Sequence, residues 1–130
     1  MGTLQLEKTK QSPVGWATAS TVTSVYSVIA SPGKWRLIAA YFTPDVTAAI
    51  DATNTATLAI KNGSTTLGSL TNGTVAFTAG VARKFTLAGG TSLEFTEGDE
   101  IAFDKAVAAS GTAITGEFSY VLEKVQADSF

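Results

Sequence analysis

From Thr21 to Val125 the chain repeats one phrase, a short run of alternating or β-branched apolar residues closed by Gly, Asn, Asp or Pro. The closures recur roughly every 8–12 residues, the spacing of an all-β sandwich or barrel, while helical periodicity is nearly absent. Thr21 to Ala30 (TVTSVYSVIA) suits a pleated, half-buried surface. Ser31-Pro32-Gly33 turns the chain, because Pro fixes φ and Gly accepts φ > 0. Trp35 to Phe42 (WRLIAAYF) is apolar in both of its alternating sets and reads as a strand buried on both faces. Thr43 to Asn54 is the longest gap, with room for one helical turn around Val46 to Asp51.

Thr55 to Lys61 alternates cleanly, with Ala56, Leu58 and Ile60 on one face. Asn62-Gly63 then fits a type I′ hairpin turn, which needs φ > 0 at both central residues. Its partner, Ser64 to Leu70, is polar and reads as near an edge; a second Asn-Gly, Asn72-Gly73, leads into Thr74 to Thr78. Lys84 to Ala88 and Ser92 to Thr96 flank Gly89-Gly90, and Glu97-Gly98-Asp99 precedes Glu100 to Val107, whose Ile101, Phe103 and Lys105 share a face. Gly116 to Val125 closes the pattern, with Phe118, Tyr120 and Leu122 on one side. The natural packing is a single antiparallel β-sandwich of jelly-roll type with about eight strands, spanning residues 17–126. Residues 1–16 form an N-terminal arm and 127–130 a tail. The expected core is Leu37, Ile38, Leu58, Ile60, Phe85, Ile101, Phe103, Phe118 and Tyr120.

Composition narrows the chemistry. The chain has no Cys and no His, which removes disulfides, thiolate nucleophiles, Cys-based zinc sites and the commonest general base. Charged residues are 15% of the chain, against about 25% in an average domain, and Thr and Ala, 20 of each, fill the difference. The net charge of −2 is too mild to imply nucleic acid. It is unevenly spread: residues 1–43 hold four basic groups and one acid, and residues 94–130 hold eight acids and two Lys. That asymmetry fits either a solvated face or a dipolar module whose ends meet different neighbours. The longest apolar run, Leu37 to Phe42, is far shorter than the roughly 20 residues that cross a bilayer. Ser12, Pro13 and Gly15 follow the basic N-terminal segment in place of an apolar h-region, so synthesis in a cytoplasm without a cleaved signal is expected.

Each group available to chemistry has a simpler reading. Glu94 and Asp104 are a carboxylate pair that the fold can bring together, as glycoside hydrolysis requires, but turns and solubility account for the acids. Asp45, Asp51 and Asn54 offer oxygen ligands to a hard cation, yet their spacing matches no calcium loop. The sequons at Asn62 and Asn72 read as hairpin turns. Trp16, Tyr26, Trp35 and Tyr41 are a candidate sugar platform; for the last three, strand patterns favour core packing. Gly89-Gly90 has no Lys-Ser/Thr after it and opens no helix, so it is no phosphate loop. No catalytic, cofactor-binding or metal-binding residue is expected, and the chain reads as a non-enzyme.

The Thr/Ala/Ser-rich strands, the Ser31-Pro32-Gly33-Lys34-Trp35-Arg36 lead into a central strand and the loop Asp51-Ala52-Thr53-Asn54-Thr55-Ala56 together have a family likeness. With Glu97-Gly98-Asp99-Glu100-Ile101 and Gly116-Glu117-Phe118-Ser119-Tyr120, the chain over residues 14–125 resembles jelly-roll decoration, or cement, proteins and head-fibre domains of tailed bacteriophages. The same phrases occur in tumour-necrosis-factor-like and lectin-like jelly rolls. The resemblance implies a structural virion protein on the capsid exterior, often a homotrimer, that bridges subunits of the major capsid protein. The alternative it leaves open is a carbohydrate-binding module of a phage adhesin or receptor-binding tip. A surface rich in Thr, Ala and Ser also loses little side-chain entropy when buried.

For attachment, the arm supplies Leu4, Leu6 and Trp16 as apolar anchors and Lys8 and Lys10 as partners for acids. Two other readings stand beside it: Leu4 to Lys8 forms the first strand of the sandwich, and Trp16 packs on its own domain.

Overall fold

The computed structural model describes residues 6–11, 23–29 and 32–125, with side chains from 26 onward. Nine strands form among them: β1 (Leu6–Gln11), β2 (Thr23–Val28), β3 (Lys34–Pro44), β4 (Ala56–Asn62), β5 (Thr65–Thr71), β6 (Arg83–Lys84), β7 (Glu94–Thr96), β8 (Glu100–Val107) and β9 (Gly116–Lys124). They make two antiparallel sheets, so the chain is an all-β sandwich. One sheet runs β1-β9-β3-β6, with β7 also on β3; the other runs β2-β8-β4-β5. Pairing is nested: β1 with β9, β2 with β8, β3 with β6 and β7, and β4 with β5. The cross pairs β3–β9 and β4–β8 complete each sheet.

Residues 6–11 lie in this sheet, within the segment assigned above to an arm. The domain boundary at residue 17 therefore falls too late: β9 lies between β3 and β1, and β1 satisfies backbone groups along its outer edge that would otherwise lack partners. Leu4, Trp16 and the tail 127–130 lie outside the described residues.

β3 is not buried on both faces. Its burial alternates, and a bulge at Ile38 resets the phase: Trp35 and Leu37 face the core before it, Ala40 and Phe42 after it. An extra residue in one strand of a pair is left unmatched and kinks the strand. Ile38 is that residue, and it is 41% exposed instead of in the core. The other eight expected core residues are buried.

Aromatic rings join the sheets. Phe118 on β9 stacks on Phe103 of the opposite sheet at 4.1 Å between centroids, and Phe42 and Phe85 approach it at 5.1 and 6.1 Å. Phe77 meets Phe42 edge-on at 5.7 Å. Such pairs add about 0.5–1.5 kcal/mol beyond the area they bury. The Ser27 and Tyr120 hydroxyls share a buried hydrogen bond of 2.5 Å between β2 and β9.

Other local expectations change where long-range pairing competes. Residues 46–51 form no helical turn; Ala48 bridges Phe77 instead. Residues 74–75 lie in a turn and a bend, 76–78 hold the single Phe77 bridge, 85–88 belong to no strand, and 91–93 is a short 3₁₀ turn. At the β4–β5 hairpin the two loop residues are Gly63 and Ser64, and only Gly63 has positive φ, the φ pattern of a II′ turn instead of I′. Gly116 is needed for close approach: a Cβ there would lie 2.3 Å from the Thr43 carbonyl oxygen.

Because Phe118 touches rings from both sheets, Phe118→Ala is expected to destabilise the domain by about 3–5 kcal/mol in urea unfolding. A loss under about 1 kcal/mol would contradict a core organised around this ring.

Candidate functional site

β3 ends, β4 begins, β8 ends and β9 begins at one end of the sandwich, where the loops 45–55, 72–82 and 108–115 gather. Two of these loops, 45–55 and 72–82, are the longest described connections, and all three are tied to one another. The Ala48–Phe77 bridge joins the first two, and Gly80 N–H donates to the Pro44 carbonyl at 2.8 Å. Asp45 N–H donates to the Thr115 carbonyl, and the Thr115 hydroxyl donates to the Asp45 carboxylate, both at 3.0 Å. Ser110 N–H donates to Asn54 Oδ1 at 3.1 Å, and the Thr112 hydroxyl donates to the Asn54 carbonyl.

Asn72 is the hub. It is fully buried, and its Oδ1 accepts from Ala56 N–H at 2.9 Å. Its Nδ2 donates to the Ala49 carbonyl at 3.1 Å and to the Thr112 hydroxyl at 3.2 Å, while its own carbonyl accepts from Asp51 N–H at 3.0 Å. The Asn72-Gly73 pair lies in a turn, as expected, but not a type I′ hairpin: neither residue has positive φ. A short amide with two donors and an acceptor satisfies three loops at once, which a glycosylated or solvent-facing Asn would not do.

Asp51 closes the first loop. The backbone N–H of Asn54 and of Thr53 and the Asn54 side-chain amide donate to its carboxylate, at 2.9, 3.0 and 3.3 Å, and hold its pKa below the ordinary carboxylate value. Asp45, Asp51 and Asn54 are therefore spent on loop hydrogen bonds. Among the described residues no group of His, Cys, Asp or Glu gathers to hold a metal.

On this braced framework four aliphatic side chains are more than half exposed: Val46, Ile50, Val75 and Val81. The Ala48–Phe77 bridge joins the loop that carries Val46 and Ile50 to the one that carries Val75 and Val81, and the Gly80–Pro44 bond brings Val81 to the start of the 45–55 loop. Beside them, an open cleft of about 470 Å³ is lined by Thr43, Pro44, Asp45, Gly80, Gly116, Glu117 and Ser119. Sequence reading missed these four. Their signal was present, since each is an apolar residue inside a polar, Gly- and Asp-rich connection, but nothing local distinguishes an exposed loop valine from a buried one.

The residues singled out from sequence are dispersed. Leu6, Lys8 and Lys10 fall on β1, in register with Glu123, Val121 and Ser119 of β9. Glu94 sits in the β3 sheet, bound to Arg36 at 3.0 Å and Lys34 at 3.6 Å; the Arg36 hydrogen bond is the main reason its pKa is lowered. Asp104 sits in the other sheet, paired with Lys61 at 3.0 Å. The two carboxylates thus form no catalytic pair. Trp35 is buried and donates its indole N–H to the Pro32 carbonyl at 3.2 Å, Tyr41 is on the β3 sheet, and Tyr26 is 57% exposed on the opposite one. These three rings form no common platform, and Tyr26 departs from the core packing expected of it. Lys105 shares the inward face of Ile101 and Phe103 and is fully buried, which lowers its pKa.

Compared with known proteins, the chain matches no protein-family model and no curated sequence.

Removing the hub strands its partners. Asn72→Ala is expected to lower stability by at least about 1–3 kcal/mol, the cost of a buried polar group left unpaired, read from chemical denaturation. Unchanged stability would mean that the three loops hold without it. The Asp51 caps predict a pH response of definite sign. A carboxyl with a depressed folded-state pKa contributes stability above its unfolded value and loses it as pH falls through the folded one. Backbone amide exchange at Thr53 and Asn54 should therefore accelerate only below the ordinary carboxylate range, and Asp51→Asn should already exchange faster at neutral pH. Equal protection in both proteins at neutral pH would remove Asp51 from this role.

Proposed function

We propose that the chain is a structural virion protein, a decoration module on the outer surface of a tailed-phage capsid that bridges subunits of the major capsid protein. Its partners on this reading are that protein and further copies of itself. The nested strand order supports a jelly-roll description of the sandwich, with β6 and β7 as two pieces of one interrupted strand. The observation that carries the proposal is the loop end: four exposed aliphatic side chains on loops already held by Asn72, Asp51 and Asp45. Association costs least when the contacting loops need no further ordering, and apolar side chains held in place supply the gain. Leu6, Lys8 and Lys10 on β1 are a second contact in this role.

The test uses particles of the phage that carries the chain, stripped of it and then re-exposed to purified protein. Wild type is expected to rebind to saturation. Val46→Asp/Ile50→Asp, two changes at exposed positions, should keep its melting temperature and bind at least about tenfold more weakly, since withdrawing even half of two aliphatic contacts exceeds 1.4 kcal/mol. Undiminished binding by that variant would move the contact away from the loop end. Failure of wild type to rebind, or a saturable response to sugars in its place, would overturn the decoration role.

A further inference from the structure

A β-sheet edge presents unpaired N–H and C=O groups, and natural proteins guard such edges with charge, brevity, bulges or a covering segment. Among the described residues, three of the four edges in this sandwich carry such a guard. The β1 edge contains Glu7, Lys8 and Lys10. The β6/β7 edge is broken into pieces of two and three residues. The β5 edge has a bulge at Leu67 and is covered by residues 86–88: Ala88 N–H donates to the Leu67 carbonyl at 2.7 Å, and a Cβ on Gly68 would lie 2.7 Å from the Thr86 carbonyl oxygen.

Among the described residues, β2 has none of these. Its sequence, TSVYSV, contains no charge and no Pro, and all six residues pair with β8 without a bulge. The hydrogen-bond phase shows which groups are left over. Ile29 N–H donates to the Asp99 carbonyl and the Ile29 carbonyl accepts from Gly98 N–H, both at 2.8 Å. Alternation along an antiparallel ladder then directs Thr23, Val25 and Ser27 toward β8, and aims the backbone groups of Ser24, Tyr26 and Val28 away from the sheet. Tyr26 and Val28, at 57% and 56%, are also exposed as side chains.

We infer that β2 pairs antiparallel with β2 of a second copy of this chain, joining two four-stranded sheets into one continuous sheet across a two-fold axis. The segment is its own complement. An axis at Tyr26 uses residues 23–29 end to end: Tyr26 faces Tyr26 of the partner subunit, Ser24 faces Val28 of the partner subunit and Thr23 faces Ile29 of the partner subunit. Every outward hydrogen-bonding group of one strand then meets an outward group of the other, in the same phase. No charge lies in this stretch, so no like-charged pair opposes the contact. Isologous pairing of this kind closes at two copies and leaves no unguarded strand at the join. It is distinct from the three-fold assembly that the phage resemblance implies, and it needs no capsid.

The experiment uses the full chain in solution. Sedimentation equilibrium at high micromolar concentration is expected to give twice the 13.4 kDa chain mass. Tyr26→Lys and Val28→Lys, both at exposed positions, should melt like wild type and sediment as single chains. Because the chain has no Cys, one introduced thiol reports the contact without interference. Tyr26→Cys should form a disulfide-linked pair on mild oxidation, and Ile50→Cys, at the loop end, should not. A wild-type single chain at the same concentration overturns the inference. So does a three-chain mass without Tyr26→Cys cross-linking, or cross-linking through Ile50→Cys alone. Because no particle is present, these outcomes are independent of whether the chain binds a capsid.

Discussion

The contact between Phe118 and Phe103, one ring from each sheet, is what makes two sheets one domain. Neither sheet buries its inner face alone, and the rings of Phe42, Phe85 and Tyr120 complete the seam around this pair. The rest of the core is arranged to keep the seam aligned. The Ile38 bulge lets β3 present Trp35 and Leu37 to one part of the interior and Ala40 and Phe42 to another. Without that reset, the period of two would turn one of these pairs to solvent. Gly116 lets β9 start close against Thr43, which brings Phe118 over Phe42.

From this seam the two ends of the sandwich diverge. At one, short turns such as Gly63-Ser64 and Glu97-Gly98-Asp99 connect strands with little surface of their own, and Asp99 accepts the Thr96 N–H at 2.8 Å to close the second of them. At the other, three longer loops share one buried amide, Asn72. Backbone groups in long loops need partners as strand groups do, and a single side chain that supplies three of them makes the loops rise and fall together. Rigidity of this kind suits the proposed contact with a repeating capsid lattice. The exposed valines and isoleucine sit on it, and the charged pairs Arg36–Glu94 and Lys61–Asp104 lie on the sheets away from it.

The proposed self-association through an edge and the proposed attachment through an end make no competing demands, because β2 and the 45–55 loop offer different surfaces: one a row of backbone groups along a sheet, the other side chains on loops. The guards on the remaining edges matter for the same reason. A sandwich that left two edges open would form chains without limit, whereas one open edge closes on itself.

The sequence by itself determined the strands and most of what they bury. Period-two runs at Ala56 to Ile60 and Phe118 to Leu122 mark the core because alternation is a local property of the pleat. The turn at Gly33, with φ of 101°, was legible for the same local reason. What only the tertiary structure decided depends on partners far along the chain. Ile38 looks like any core isoleucine until β9 sets the register and leaves it unmatched. Asn72 looks like a turn residue and nothing more until Ala49, Ala56 and Thr112 converge on its side chain. Residues 6–11 left an arm and a first strand both open in the sequence, and the edge of β9 makes a strand of them. The loop valines and the β2 edge were hidden in the same way. Alternation specifies which residues can face a core, but which surface remains uncovered is settled only when every sheet has found its neighbours.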